Sequence, residues 1–264
     1  MKLHVPATLL AALLLGACST QRATPPARPE SRGFVPAQER PGLGTAWGEQ
    51  RDSWVEPAFF ARTSSERPAG QERLYYNDRA GANAMLDYLG GNAKQCDGLQ
   101  PSAGGRLRFG IRKGNGEWAE CHELRGRRFA VGEPGERYEI VLKNDGRRAL
   151  ELVVSVDGLD VVDGKPSSFR KRGYVLAPFE TLTVDGFRTS NATVAAFRFG
   201  AMFDTYGHRR HGNTANAGVI GVAVFEERRR DASPAPRDPK DHAWRHVGTR
   251  PPASGHEFAA PPDA

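Results

Sequence analysis

The densest concentration of groups able to do chemistry is the stretch from Asp204 to Asn213, which joins two apolar runs. Tyr206, His208, Arg209, Arg210, His211 and Asn213 stand together there. The guanidinium forks of Arg209 and Arg210 suit a phosphate or carboxylate held by paired hydrogen bonds. His208 and His211, with Asp204 or the distant His122, are the members of a conceivable metal site. Their spacing lacks the four-ligand pattern of a closed zinc centre, so no metal is expected. The plain alternative is a solvated connection. The functional one is a ligand or partner contact on a loop held by a rigid body, with Trp118 on the same face.

Catalytic arrangements are weaker. Ser155, Asp157 and His208 can be written down as a triad, but Ser155 lies within a strand pattern and not at a sharp turn that would present a nucleophile. Asp157, Asp160 and Asp163 are spaced like ion ligands, yet Gly158 and Gly164 make them turn residues, and the full calcium-loop pattern is missing. Glu226 and Glu227 end a strand, where paired charges mark solvent. These residues point to a protein that is not an enzyme and carries no cofactor.

The residues above must be positioned by a sheet. From Arg137 to Glu226 the chain alternates apolar and polar residues or runs apolar, and Asx-Gly turns punctuate it at Asp145-Gly146, Asp157-Gly158 and Asp163-Gly164. Strands are expected at 137–143, 148–156, 159–162, 172–176, 181–184, 193–199 and 219–225, with an earlier one at 106–112 and a short one at 128–131. In the strand from Leu150 to Val156 both faces are apolar near the middle, which predicts cover on both sides. Gly221 in the last strand predicts a close backbone approach or a bulge. The intervals imply a mainly β fold, an antiparallel two-layer β-sandwich of jelly-roll or immunoglobulin-like kind. One short accessory helix is expected near 79–89, where Ala82, Met85, Leu86 and Leu89 form a stripe. Before it, Trp47, Trp54, Phe59, Phe60, Tyr75 and Tyr76 read as an irregular arm clamped onto the sheet by its rings, with a stacking surface as the alternative.

The ends of the chain say where it goes. A basic start, an apolar run from Val5 to Leu15 and the small residues Gly16-Ala17 precede Cys18. That apolar run is too short to span a membrane as a mature helix. Leu15-Gly16-Ala17-Cys18 resembles the lipobox of a bacterial lipoprotein, which implies cleavage before Cys18 and acylation of that residue; an ordinary secretory signal is the alternative. Ser19 after the cysteine, by the same resemblance, implies the outer membrane. The runs Val153–Asp160, Gly173–Pro178, Asp185–Phe187, Val194–Phe199 and Gly218–Phe225 resemble a set of uncharacterised bacterial envelope proteins, which implies a shared sheet body and no known chemistry.

Residues 1–17 are thus expected to be a signal peptide, 18–40 a lipidated flexible tether, 41–227 one β-rich domain and 228–264 a mostly disordered tail in which Trp244 alone can anchor. Of the 3 cysteines, the two left after Cys18, Cys96 and Cys121, are expected to form a disulfide in an exported protein. The net charge of +6 favours anionic surroundings. Export points to lipopolysaccharide, peptidoglycan or an envelope protein as partner and away from nucleic acid. The expectation is a non-catalytic lipoprotein, held on the outer membrane facing the periplasm, whose body binds or scaffolds an envelope component. The alternatives are a module for an anionic glycan or lipid bound through 204–213, and a hydrolase assembled across loops.

Overall fold

In the computed structural model, residues 42–102, 105–228, 242–246 and 257–262 are described. Cys18, the expected signal peptide and the expected tether lie outside the described residues. Strands β1 (Leu43–Asp52), β2 (Val55–Phe59) and β3 (Gly70–Asn77) lead to helix α1 (Arg79–Leu89). Next come β4 (Lys94–Cys96), β5 (Gln100–Pro101), β6 (Leu107–Lys113), β7 (Cys121–Leu124) and β8 (Arg127–Val131). They are followed by β9 (Arg137–Asn144), β10 (Leu150–Val156), β11 (Leu159–Asp160) and β12 (Tyr174–Leu176). The strands β13 (Thr181–Val184), β14 (Gly186–Arg188) and β15 (Thr193–Ala201) precede a 3-10 turn (Met202–Asp204) and helix α2 (Tyr206–His211). The last are β16 (Val219–Glu226) and β17 (His242–His246).

These strands form two sheets. The smaller runs β1-β15-β9-β6-β5, and the larger runs β2-β17-β12-β10-β16-β3-β8-β7-β4. The segment from Thr181 to Arg188 is shared within the smaller sheet. Its first half pairs with β9 (Leu182 opposite Leu142), and its second half pairs with β15 (Phe187 opposite Ala195). Period-two patterning drives the layering. Leu150, Leu152, Val154 and Val156 point inward to meet Tyr138, Ile140, Leu142, Phe197 and Phe199 of the smaller sheet in one continuous core.

Several expectations are corrected. The stretch read as an irregular aromatic arm is three strands, because β1 finds an eight-residue ladder on β15 and β3 pairs on both sides. The sheets are not wholly antiparallel: β3 runs parallel to β8, and β12 runs parallel to β17. A second helix, α2, occupies the stretch read as a loop. Of the segment expected to trail after 227, residues 242–246 are a strand between β2 and β12, with Trp244 buried and Phe258 packed on it. Gly221 makes no bulge, since the β16 register runs unbroken past it on both sides. Cys96 and Cys121 sit opposite each other on β4 and β7 with Cα atoms 5.0 Å apart, bonded as a disulfide.

The outward face of β10 is covered at one end, as its pattern predicts. Val153 packs there with Ala58, Phe60, Val175, Ala223, Phe225 and Ala243. Glu151 lies in this cover, fully buried, and its carboxylate takes paired hydrogen bonds from Arg62 at 2.8 and 2.9 Å and from Arg172 at 2.8 and 2.9 Å. The Gly173 N–H adds a bond of 2.8 Å. Arg62 also lies 3.6 Å over the Phe225 ring and donates to the Phe169 carbonyl at 2.6 Å. A buried charge left without its partner costs more than the pair gains. Glu151→Ala, which leaves the buried Arg62 without its carboxylate, is therefore expected to lower stability in urea denaturation by about 3–5 kcal/mol. The triple change of Glu151, Arg62 and Arg172 to Leu, Met and Met should recover most of that loss.

Candidate functional site

The stretch from Asp204 to Asn213 is bound into the fold. Thr205 caps α2, its hydroxyl accepting the His208 N–H at 3.2 Å. Tyr206 is buried, with its ring 4.8 Å from Trp47 and 4.7 Å from Phe187, and its hydroxyl donates to the Ala260 carbonyl at 2.8 Å. His211 Nε2 lies 2.9 Å from the Gly164 carbonyl oxygen, and the His208 ring meets Phe203 edge-on. Asn213 accepts the Ala215 N–H at 2.8 Å. Arg209 and Arg210 are exposed. Trp118 belongs elsewhere: it bridges to Arg112 of β6 and its ring lies over Gly98 and Gly110, whereas α2 packs on β1. The residues grouped from sequence are therefore divided between a helix whose polar atoms close the body and a tryptophan beside the smaller sheet.

His122, the distant candidate ligand, pairs with Glu120 at 2.9 Å, and Arg79 grips the same carboxylate at 2.6 and 2.8 Å. The Arg79 hydrogen bond holds Glu120 down to about 2. Ser155, Asp157 and His208 do not converge. Ser155 faces outward from β10, its hydroxyl 3.4 Å from the Gly221 carbonyl, while Asp157 is buried in the interior. Among the described residues, no three His, Cys, Asp or Glu side chains are placed to share a metal ion.

Sequence reasoning missed the surface that the sheets do build. Beyond the covered end of β10, the outer face of the larger sheet opens into a groove of about 700 Å³. Val153 and Ser155 of β10 with Val219, Gly221 and Ala223 of β16 line its floor. One flank is Gln71, Arg73 and Tyr75, successive outward positions of β3; the other is Ser167, Ser168 and Phe169 of the loop before β12, with Asn216 and Gly158 also lining it. The floor stays low at its centre because a Cβ on Gly221 would stand 2.7 Å from the Ser155 hydroxyl. Tyr75 is steadied by stacking on Phe129, centroids 5.4 Å apart. Phe169 is 42% exposed, and its carbonyl is one of those fixed by buried Arg62. The aromatic stretch before the helix carried part of this signal in Tyr75. Phe169 carried none, because its loop reads only as polar.

Two aspartates that follow β10, Asp157 and Asp160, are buried. Burial pushes Asp157 up to about 6, against the hydrogen bonds from Tyr76, Thr45, Gly218 and Val219 that hold it down. Burial likewise pushes Asp160 up to about 7, opposed by the nearby Lys171 charge. An aspartate in the unfolded chain titrates near about 3.9. Both folded values are raised, so their stabilisation is complete below about pH 4 and is lost as pH rises through 6 and 7. Asp160 accepts the Val162 N–H at 2.9 Å through Oδ1, a bond that an asparagine can keep. Asp160→Asn should therefore fold, and it should flatten the fall of Tm measured calorimetrically between pH 4.5 and about 7.5. An unchanged slope in the variant would contradict this assignment.

No family model, no curated protein and no solved structure matches the chain.

Proposed function

We propose that this chain is a non-catalytic envelope lipoprotein, held on the bacterial outer membrane through acyl chains on Cys18 and facing the periplasm. Its sandwich binds or scaffolds an envelope component in the groove on the outer face of the larger sheet. The observation that carries the binding half is the groove itself. It is a concavity of about 700 Å³ with aromatic rings, amides and hydroxyls on a floor of small side chains, the composition of a recognition site on a rigid support. The lipobox resemblance carries the anchoring half. The Cys96–Cys121 pair at bonding distance supports an oxidising compartment. The stretch from Asp204 to Asn213 is a weaker place for the ligand, because Tyr206, His211 and Asn213 spend polar atoms on closing the fold.

Two measurements test the two halves. Cells fed an alkyne fatty acid should label the wild-type chain and fail to label Cys18→Ser; equal labelling removes the anchor. Purified full-length protein should co-sediment with peptidoglycan sacculi or with lipopolysaccharide, and Ser155→Phe, which fills the groove floor, should reduce that binding at least about tenfold while leaving Tm near wild type. Binding that survives Ser155→Phe would place the ligand elsewhere.

A further inference from the structure

The geometry points to a saccharide carrying a carboxylate as the ligand of this groove; the inference rests on the groove reading above and goes beyond it by naming the ligand class. The first observation concerns charge. Arg73 is exposed on the outward face of β3, directly opposite Gly221 of β16, so no side chain of the neighbouring strand screens it. Among the described residues, no carboxylate pairs with it. The adjacent Glu72 also borders the groove, but its carboxylate meets Arg128 at 3.5 Å and not Arg73. The groove therefore presents a guanidinium to which no described carboxylate is paired, and a guanidinium fork matches a carboxylate.

The second observation concerns what else the groove offers. Tyr75 and Phe169 stand on opposite flanks with ring surface accessible, and the amides of Gln71 and Asn216 and the hydroxyl of Ser155 line the space between. Aromatic faces beside amides and hydroxyls match a sugar ring, which has apolar C–H faces and a hydroxyl rim.

The third observation separates a sugar from a peptide. The strands under the groove are interior to the sheet: β10 lies between β12 and β16, β16 between β10 and β3, and β3 between β16 and β8. Their ladder N–H and C=O groups are already paired, so an extended peptide gains no added strand here, whereas a saccharide needs only the side chains.

The test is an oligosaccharide array probed with labelled, detergent-solubilised full-length protein. It carries glycans ending in muramate, octulosonate or galacturonate beside neutral chitotetraose and maltotetraose. Binding should be confined to carboxylate-bearing members; the muramate and octulosonate spots separate a peptidoglycan source from a lipopolysaccharide source. Arg73→Gln should weaken that binding by about ten- to hundredfold, and the loss should shrink as salt is raised. Phe169→Ala, at an exposed loop position, should weaken it without altering Tm. Equal binding of neutral and acidic members, no binding to any carboxylate-bearing member, or full retention in Arg73→Gln overturns the inference. If Ser155→Phe still abolishes sacculus or lipopolysaccharide binding while Arg73→Gln leaves it intact, the groove stands as the site and the ligand class falls. If neither variant changes that binding, both fall together.

Discussion

One carboxylate ties the two sheets together. Asp157 follows β10 in the left-handed conformation, φ 54°, which turns its side chain into the interior. There it accepts the Thr45 N–H at 2.6 Å, the Gly218 N–H at 2.9 Å and the Tyr76 hydroxyl at 2.6 Å. Tyr76 has a single hydroxyl proton and gives it to Asp157, so the Thr45 hydroxyl, 2.6 Å away, donates to Tyr76. The Thr45 proton is thereby used, and Tyr138, also at 2.6 Å, donates to Thr45. The result is a directed chain from Tyr138 through Thr45 and Tyr76 to Asp157, crossing from β9 and β1 of one sheet to β3 and the β10 turn of the other. Such a chain is favourable only when every member is satisfied, which demands one register for four strands at once. Its surroundings also pay in side-chain size: a Cβ on Gly44 would stand 3.0 Å from the Asp157 carboxylate.

The same logic of complete satisfaction explains how the outer face of the larger sheet is divided. Where Glu151 points outward, two arginines, a backbone N–H and an aromatic ring enclose it, and the segment carrying Arg62 becomes a lid over that end of β10. Two residues further along, Val153 marks the edge of the lid, and beyond it Ser155 and Gly221 leave the face open. Arg62 connects the two halves. By donating to the Phe169 carbonyl it fixes the loop that walls the groove, so an ion cluster centred on a fully buried carboxylate shapes the surface beside it. A groove built this way is held by interior contacts and needs no closure to exist, which favours recognition with little ordering cost on binding.

The strand pattern of the sequence was a good guide to β9, β10, β15 and β16, because alternation in β9 and near-continuous apolar, β-branched runs in the others, bounded by turn residues, mark strands locally. It was a poor guide to β1 through β3. Residues such as Gly48, Glu49, Arg51, Glu72 and Arg73 interrupt the apolar alternation there, and these strands gain stability from ladder partners more than a hundred residues away. The parallel pairing of β3 with β8 leaves no trace in local composition either. The polar cluster from Asp204 to Asn213 was visible as chemistry but not as structure: Thr205 and Gly212 are cap residues of a short helix, and that helix persists because Tyr206 is inserted against Trp47 and Phe187.

By itself, then, the sequence determined that the body is built of strands and that a helix follows Asp78, and it offered Cys96 and Cys121 as a pair once Cys18 is assigned to lipid. Those features rest on local periodicity, on capping residues and on counting, which need no knowledge of what lies across the core. The tertiary structure alone decided which sheet each strand joins, that Asp157 turns into the interior while Glu151 is buried beneath the cover on the outer face, and that Arg73, Tyr75 and Phe169 come to border one groove. Each of those outcomes depends on contacts between residues far apart in the chain, and no single stretch contains the partner that makes it favourable.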